Sequence, residues 1–397
     1  MLNVFLMHPN QALDASQELP SNGQELTQDL ELNTLLSAMA LGDEFLCDTA
    51  RQALLSGLDD PDIIRYRQEI LQDCLDNPSV VREIYSLPIE SIETQKKRWM
   101  GIFSQRPSRI LSGAVEMLEL FSALLKRLRG IADEHADRFA SEGFRRFFGM
   151  IQQELDDDYL RDVDRHLQRL RFGDGVLLSA ELGKGNEGTS HVLRKAHHRD
   201  QSWLKRILSR DSPVYSFRLH SRDDSGSRAL NQLKSRVINL AANAAAQSAD
   251  QIDSFFDALR LELGFYIGCL NLSEQLADIG EPICLPRPVV AHERTHSCRG
   301  LYDVCLALTM GRKVVGNDLD GEHKDLVLIT GANQGGKSTF LRSVGLAQLM
   351  MQSGMFVGAE TFCANICDRL FTHFKREEDA AMESGKLDEE LARMSQI

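Results

Sequence analysis

The 397-residue sequence predicts a multidomain chain, mostly α-helical at the front and α/β at the back. Three observations predict it. Apolar residues recur at helical spacing from Glu25 to about Arg171, as in Leu118, Phe121, Leu125 and Leu128. The same period resumes at Ile252, Phe255, Phe256, Leu259, Leu263, Tyr266 and Leu270. Finally, Leu326-Val-Leu-Ile329 is a continuous apolar run, as expected for a parallel strand covered on both faces, and it leads into a glycine-rich turn and another helical stripe.

In chain order, residues 1–20 are polar and rich in Pro, Asn and Gln, which predicts a poorly ordered start. Residues 21–285 then read as one helical domain, broken at Pro61, Pro78, Pro88 and Pro107. Near Gly173 the period changes. Gly175-Val-Leu-Leu-Ser-Ala-Glu-Leu-Gly183, the glycine-rich Gly183–Gly188 and Pro213-Val-Tyr-Ser-Phe-Arg-Leu-His220 suggest short strands and turns within 173–236. Pro282, Pro286 and Pro288 end the last helical stretch, so 286–397 is read as a separate α/β domain.

That domain carries Gly331-x-x-x-x-Gly336-Lys337-Ser338, a complete phosphate-binding loop between the apolar run and the helical stripe. Gly331, Gly335 and Gly336 allow backbone conformations closed to other residues, so that successive N–H groups can point at a β-phosphate. Lys337 supplies a mobile positive charge for the β/γ oxygens, and Ser338 offers a hydroxyl to Mg²⁺. From Thr339 to Met351, apolar residues at Leu341, Val344, Leu346, Leu349 and Met350 mark a helix whose N-terminus faces the phosphates. The expected ligands are therefore a nucleoside triphosphate and Mg²⁺.

These residues also carry a resemblance. Thr330-Gly-Ala-Asn-Gln-Gly-Gly-Lys-Ser-Thr-Phe-Leu-Arg342 resembles the Walker A segment of the MutS ATPases, with Asn333 the discriminating match and Ala332 and Gln334 as departures. Gly316-Asn317-Asp318-Leu319 is similar to the family's N-D segment, and Gln352-Ser-Gly-Met-Phe-Val-Gly-Ala359 to its G-x-x-V-P-A turn. Asp60-Pro-Asp-Ile-Ile-Arg-Tyr-Arg67-Gln-Glu-Ile-Leu71 resembles the family's R-Q-x-x-V segment, and Leu263–Leu276 the helix leading into the ATPase. The resemblance implies a helical core and lever domain over 21–285, followed by an ABC-type P-loop ATPase domain. It also implies ATP as the nucleotide, in a site made of Asn317, Gly331, Ala332, Asn333, Gln334, Gly335, Gly336, Lys337, Ser338 and Thr339. DNA as partner, a homodimer in the full-length protein and a nucleotide-driven clamp in mismatch repair or related DNA-structure recognition follow from it. Val314 lies where the family often has an adenine-stacking aromatic, and no N-terminal F-x-E motif for mismatch wedging precedes the helical region. Residues 339–397 hold no second strand ending in acidic residues, so the ATPase domain reads as incomplete at its C-terminus and hydrolysis-incompetent in this chain.

The charge balance sharpens the choice of partner. Residues 1–95 carry 17 acidic and 4 basic side chains, which accounts for the whole net charge of −13. Residues 191–236 carry 11 Lys or Arg against 4 Asp, the most basic stretch of the chain and the candidate phosphate-backbone contact. An alternative reading is a nucleotide-dependent, non-enzymatic scaffold that binds another protein through the acidic front. Eight scattered cysteines with no CxxC pair read as reduced packing residues, and no apolar stretch is long enough to span a bilayer, so a cytoplasmic protein is expected. His292-Glu-Arg-Thr-His296 fits a zinc-protease signature, but it follows Pro286-Arg-Pro-Val-Val, which favours extended chain over the helix that signature needs. Cys363 and Cys367, four residues apart and beside His373, are likewise read as packing residues rather than metal ligands.

Overall fold

The structure is a computed structural model and describes residues 2–13, 19–99, 107–172, 176–186, 188–194, 223–332 and 335–374. Asn333, Gln334, Lys205, Arg206, the strand expected over 213–220 and everything after Phe374 lie outside them. The described chain is mostly helical with two small sheets. It packs as two compact units, the first from Met1–Ile89, Leu128–Gln153 and Phe255–Ile397, the second from Glu90–Arg127 and Glu154–Ser254.

The first unit opens with α1 (Gly23–Asp29), α2 (Leu32–Ala40), α3 (Glu44–Ser56) and α4 (Pro61–Asp76), followed by α5 (Pro78–Trp99) and α6 (Pro107–His135), which contribute to both units. Local chemistry sets the starts. Asp43 accepts the Phe45 amide at 2.9 Å ahead of α3, and Asp60 accepts the Asp62 amide at 2.8 Å ahead of Pro61 at the first position of α4. Each such cap is worth about 1 kcal/mol. Pro61, Pro78 and Pro107 thus begin helices as the sequence suggests, whereas Pro88 lies inside α5 with the helix continuing. A proline forfeits one backbone hydrogen bond there, but Leu87 beside it is fully buried and packing holds the helix through.

α7 (Glu142–Glu154) brings Phe144 and Phe148 against Phe139 and Phe147 against Phe148, with ring centroids 4.5 to 5.7 Å apart, and buried Asp73 of α4 accepts the Ala140 and Ser141 amides at 2.9 and 2.8 Å just ahead of it. Of the opening residues, those described include a packed stretch. Val4, Leu6 and Met7 are buried, because a carboxylate in the core, Glu262, satisfies the amides that composition alone left without partners. Glu262 and Tyr266 lie on α9 (Asp224–Asp278), whose last part carries the predicted stripe Phe256, Leu259, Leu263 and Leu270 into the same core.

The sheet of this unit has the order β3 (Arg287–Val289), β6 (Thr361–Asn365), β4 (His296–Leu301), β5 (Asn317–Asp320). Only β3 and β6 run parallel; β4 is antiparallel to both neighbours, with Ser297 opposite Cys363 on one side and Asp320 on the other. α10 (Val304–Met310) follows β4, and α11 (Lys337–Gln352) follows the glycine-rich loop. The expected parallel strand over Leu326–Ile329 is not formed among the described residues. Leu326 and Leu328 are 73% and 79% exposed, and no described strand pairs with them. An apolar run records a need for cover, and the pattern alone cannot say which element provides it.

The second unit holds α8 (Asp157–Leu170) and the antiparallel hairpin β1 (Leu177–Leu182) and β2 (Gly188–Arg194), close to the strands expected near 175–183. Asp156 caps α8 through the Tyr159 amide at 2.7 Å, and Asp164 takes Lys126 at 2.6 Å and Ser122 at 3.2 Å. Leu118, Phe121, Leu160 and Ile238 are buried in it, while Leu182 stands 80% exposed. No described helix is long and apolar enough to cross a membrane.

Candidate phosphate-binding site

The loop residues converge on one end of α11. Gly336 caps the helix in the left-handed region (φ +79°), a conformation a side chain would strain, and no side chain caps the first turn. A Cβ on Gly335 would sit 2.9 Å from the carbonyl oxygen of Ala332, so this position also excludes a side chain. The first-turn amides of Lys337, Ser338 and Thr339 therefore open outward from a helix whose dipole is positive there. Lys337 Nζ donates to the carbonyls of Gly331 at 2.9 Å and Ala332 at 2.6 Å, which folds the ammonium back over the loop. Ser338 is exposed beside it, free to offer its hydroxyl to a cation. Glycine turn, uncapped helix start and ammonium together suit a phosphate group.

Deeper layers fix this helix. A Cβ on Gly345 would come within 2.8 Å of Leu30 Cδ2, so α11 packs closely on the Leu30 side chain. Arg342 donates to Asp303, the N-cap of α10, and to Glu31 between α1 and α2. At the far end, Gln352 Nε2 donates to the carbonyls of Leu58 at 3.0 Å and Cys367 at 2.9 Å, and Gln348 donates to the Gln352 side-chain oxygen at 2.7 Å and to the Asn365 carbonyl at 2.9 Å. The sequence flagged Arg342 by resemblance but gave it no role, because its acidic partners are remote in the chain.

Other candidates fare differently. Asn317 stands exposed on β5 opposite Leu301, and no hydrogen bond joins it to the loop among the described residues. Of the basic stretch, Arg194 donates to Ser179 Oγ at 2.8 Å, and Arg228, Lys234 and Arg236 stand exposed on the first turns of α9. The zinc-like motif is split between a short turn at Ala291–Glu293, left-handed Arg294 and the start of β4, so its two imidazoles share no helix face. Burial against Phe362 pulls the His296 pKa down. No group of three metal-ligating side chains exists among the described residues. Cys363 belongs to β6 and Cys367 Sγ donates to Gln352 at 3.0 Å, as packing residues would.

Comparison with known proteins places the chain. Residues 59–279 match the family model for the MutS2 N-terminal domain, and residues 327–397 match that for MutS domain V. The chain belongs to the MutS family. It is 25% identical over 295 residues to the DNA mismatch repair protein MutS of Lactococcus lactis subsp. lactis (strain IL1403), covering 69% of this chain and 33% of that protein. It is 32% identical over 158 residues to the protein of the same name from Chloroflexus aurantiacus (strain ATCC 29366 / DSM 635 / J-10-fl), covering 38% and 16%. The match to its namesake in Synechocystis sp. (strain ATCC 27184 / PCC 6803 / Kazusa) reaches 52% over 62 residues, covering 16% and 7%. The chain thus spans a third or less of the length of these relatives.

Proposed function

We propose that residues 286–397 are the N-terminal part of a P-loop ATPase domain, that Gly331–Thr339 hold ATP with Mg²⁺, and that the protein works on DNA as a nucleotide-driven clamp. The observation that carries this reading is the left-handed Gly336 cap, which leaves the first turn of α11 open next to Lys337. The amides would cradle the β-phosphate, Lys337 would turn from the loop carbonyls to the β/γ oxygens, and Ser338 would ligate Mg²⁺. Membership of the MutS family and the mismatch-repair names of the relatives favour DNA as the substrate. In this reading 21–285 is the core and lever domain, 191–236 meets the phosphate backbone, the full-length protein is a homodimer, and the site of action is the cytoplasm.

The test is a titration of the chain and of Lys337→Ala with Mg-ATP, read by a fluorescent nucleotide. Saturable binding by the parent with at least a hundredfold loss in the variant is expected, since an ammonium–phosphate contact in a site otherwise built of neutral amides dominates the charge balance. Equal affinity in both removes the assignment.

A further inference from the structure

The far end of α11 is tied to the opening residues through one buried guanidinium. Arg67 of α4 donates from Nη1 to the carbonyl of Ser353 at 3.1 Å, one residue past α11, and from Nε to the carbonyl of Met7 at 2.7 Å. Only 6% of Arg67 is exposed, so both bonds replace water that cannot reach it. Behind the guanidinium the chain turns at Gly354 (φ +85°), where a Cβ would stand 2.5 Å from Arg67 Cβ.

On its other side the same segment meets a buried acid. Glu262 of α9, 1% exposed, accepts the Leu6 and Met7 amides on Oε2 at 2.8 and 2.6 Å and the Leu13 amide on Oε1 at 2.8 Å. Tyr266 Oη donates to Leu6 O and Tyr66 Oη to Phe5 O, both at 2.6 Å, and Arg146 reaches Pro9 O at 2.8 Å. Met7 thus sits between opposite buried charges, its N–H toward the carboxylate and its C=O toward the guanidinium. The backbone dipole mediates an ion pair whose members make no direct salt bridge.

We propose that residues 3–13 form a strap that transmits displacement of α11 to α9. The strap rests on the nucleotide-loop reading, since a ligand at the first turn of α11 is what would displace it. α11 is a single helix of 16 residues with its second half buried, so a shift at Lys337 reaches Ser353 with little loss. If Ser353 O moves, Arg67 either follows it and draws Met7 along or is left with an unpaired donor in the core. The second outcome costs far more, so the strap moves, and Glu262 ties it to α9.

The experiment is hydrogen exchange on the full chain with and without saturating Mg-ATP, with nucleotide binding read in the same samples. The amides of Leu6, Met7 and Leu13 are expected to change rate at least threefold, beyond any change in the core amides of α3, such as Leu54. Arg67→Lys, whose single ammonium cannot span both carbonyls, should still bind nucleotide and lose that response. Nucleotide binding with unchanged strap amides in the parent overturns the strap and leaves the loop reading intact. Slowing spread equally over strap and α3 is global stabilisation and overturns it as well. Absence of nucleotide binding removes the loop reading and the strap with it. The parent measurement decides even if Arg67→Lys does not fold.

Discussion

Arg342, on the second turn of the loop helix, donates through Nε to Asp303, a carboxylate only 1% exposed that also accepts the Leu306 amide at 3.0 Å as the N-cap of α10. One acid therefore starts one helix and positions another. Its bond to Arg342 is shielded from solvent, whereas the second bond, to Glu31, ends on a carboxylate that is 47% exposed and contributes little.

Removing the guanidinium should be costly because Asp303 would keep its buried charge and lose its partner. Arg342→Ala is expected to destabilise the first unit by about 3–5 kcal/mol. Arg342→Lys should recover part of that by restoring the charge without the fork. Scanning calorimetry of the three proteins checks it, and a midpoint for the alanine variant within a degree of the parent would show that the pair is idle.

The turn after α11 gives a second test. Gly354 combines a left-handed backbone (φ +85°) with a neighbour, Arg67 Cβ, that a methyl group would meet at 2.5 Å. Gly354→Ala should cost about 2–4 kcal/mol from backbone strain and overpacking together. A matched Gly311→Ala change (φ +59°, with nothing within 4 Å of the added Cβ) carries the strain alone. Equal losses in the two variants would mean that contact with Arg67 contributes nothing.

These sites show where the sequence was legible. Helical spacing located α6, α11 and the end of α9 because a period of 3.6 needs only local residues. The tight backbone at Gly335 and the left-handed Gly336 were legible for the same reason, since loop spacing constrains backbone geometry locally. Pro88 misled because its local cost was outweighed by burial from elsewhere in the fold. Leu326–Ile329 misled because a run's apolarity does not name its neighbours. Asp303, 39 residues from Arg342, and Glu262, some 250 from Leu6, join by tertiary packing alone, and no spacing rule reaches that far.

The cysteines offer a test by pH. All eight are free, and burial pushes the thiols of Cys74 and Cys269 well up, those of Cys284 and Cys298 to about 11, and that of Cys305 to about 12. A raised thiol pKa leaves the group protonated at pH 8, with roughly a thousandth as thiolate when the pKa is 11, and only the thiolate reacts. Iodoacetamide at pH 8 should therefore modify partly exposed Cys47 before any of these five, with Cys284 and Cys298 gaining reactivity only as the pH approaches 11. Peptide mass mapping reads the order, and early labelling of Cys74 or Cys269 in folded protein would contradict the packing.

Lys205 and Arg206 lie outside the described residues, but the flanking elements present Arg194 at the end of β2 and Arg228, Lys234 and Arg236 early in α9, all exposed. If 191–236 follows the nucleic-acid backbone, changing Lys205 and Arg206 to Glu should weaken binding to all DNA sequences alike, because phosphate contacts position a protein without reading bases. The dependence of log affinity on log salt should become shallower by about one unit per lost contact. Nucleotide affinity should be unchanged, since neither residue contributes to the chemistry of Gly331–Thr339. Unaltered DNA affinity in a folded double variant would make this stretch an ordinary solvated surface. Binding of a protein partner insensitive to salt would then favour the scaffold reading, because an apolar interface releases no counterions.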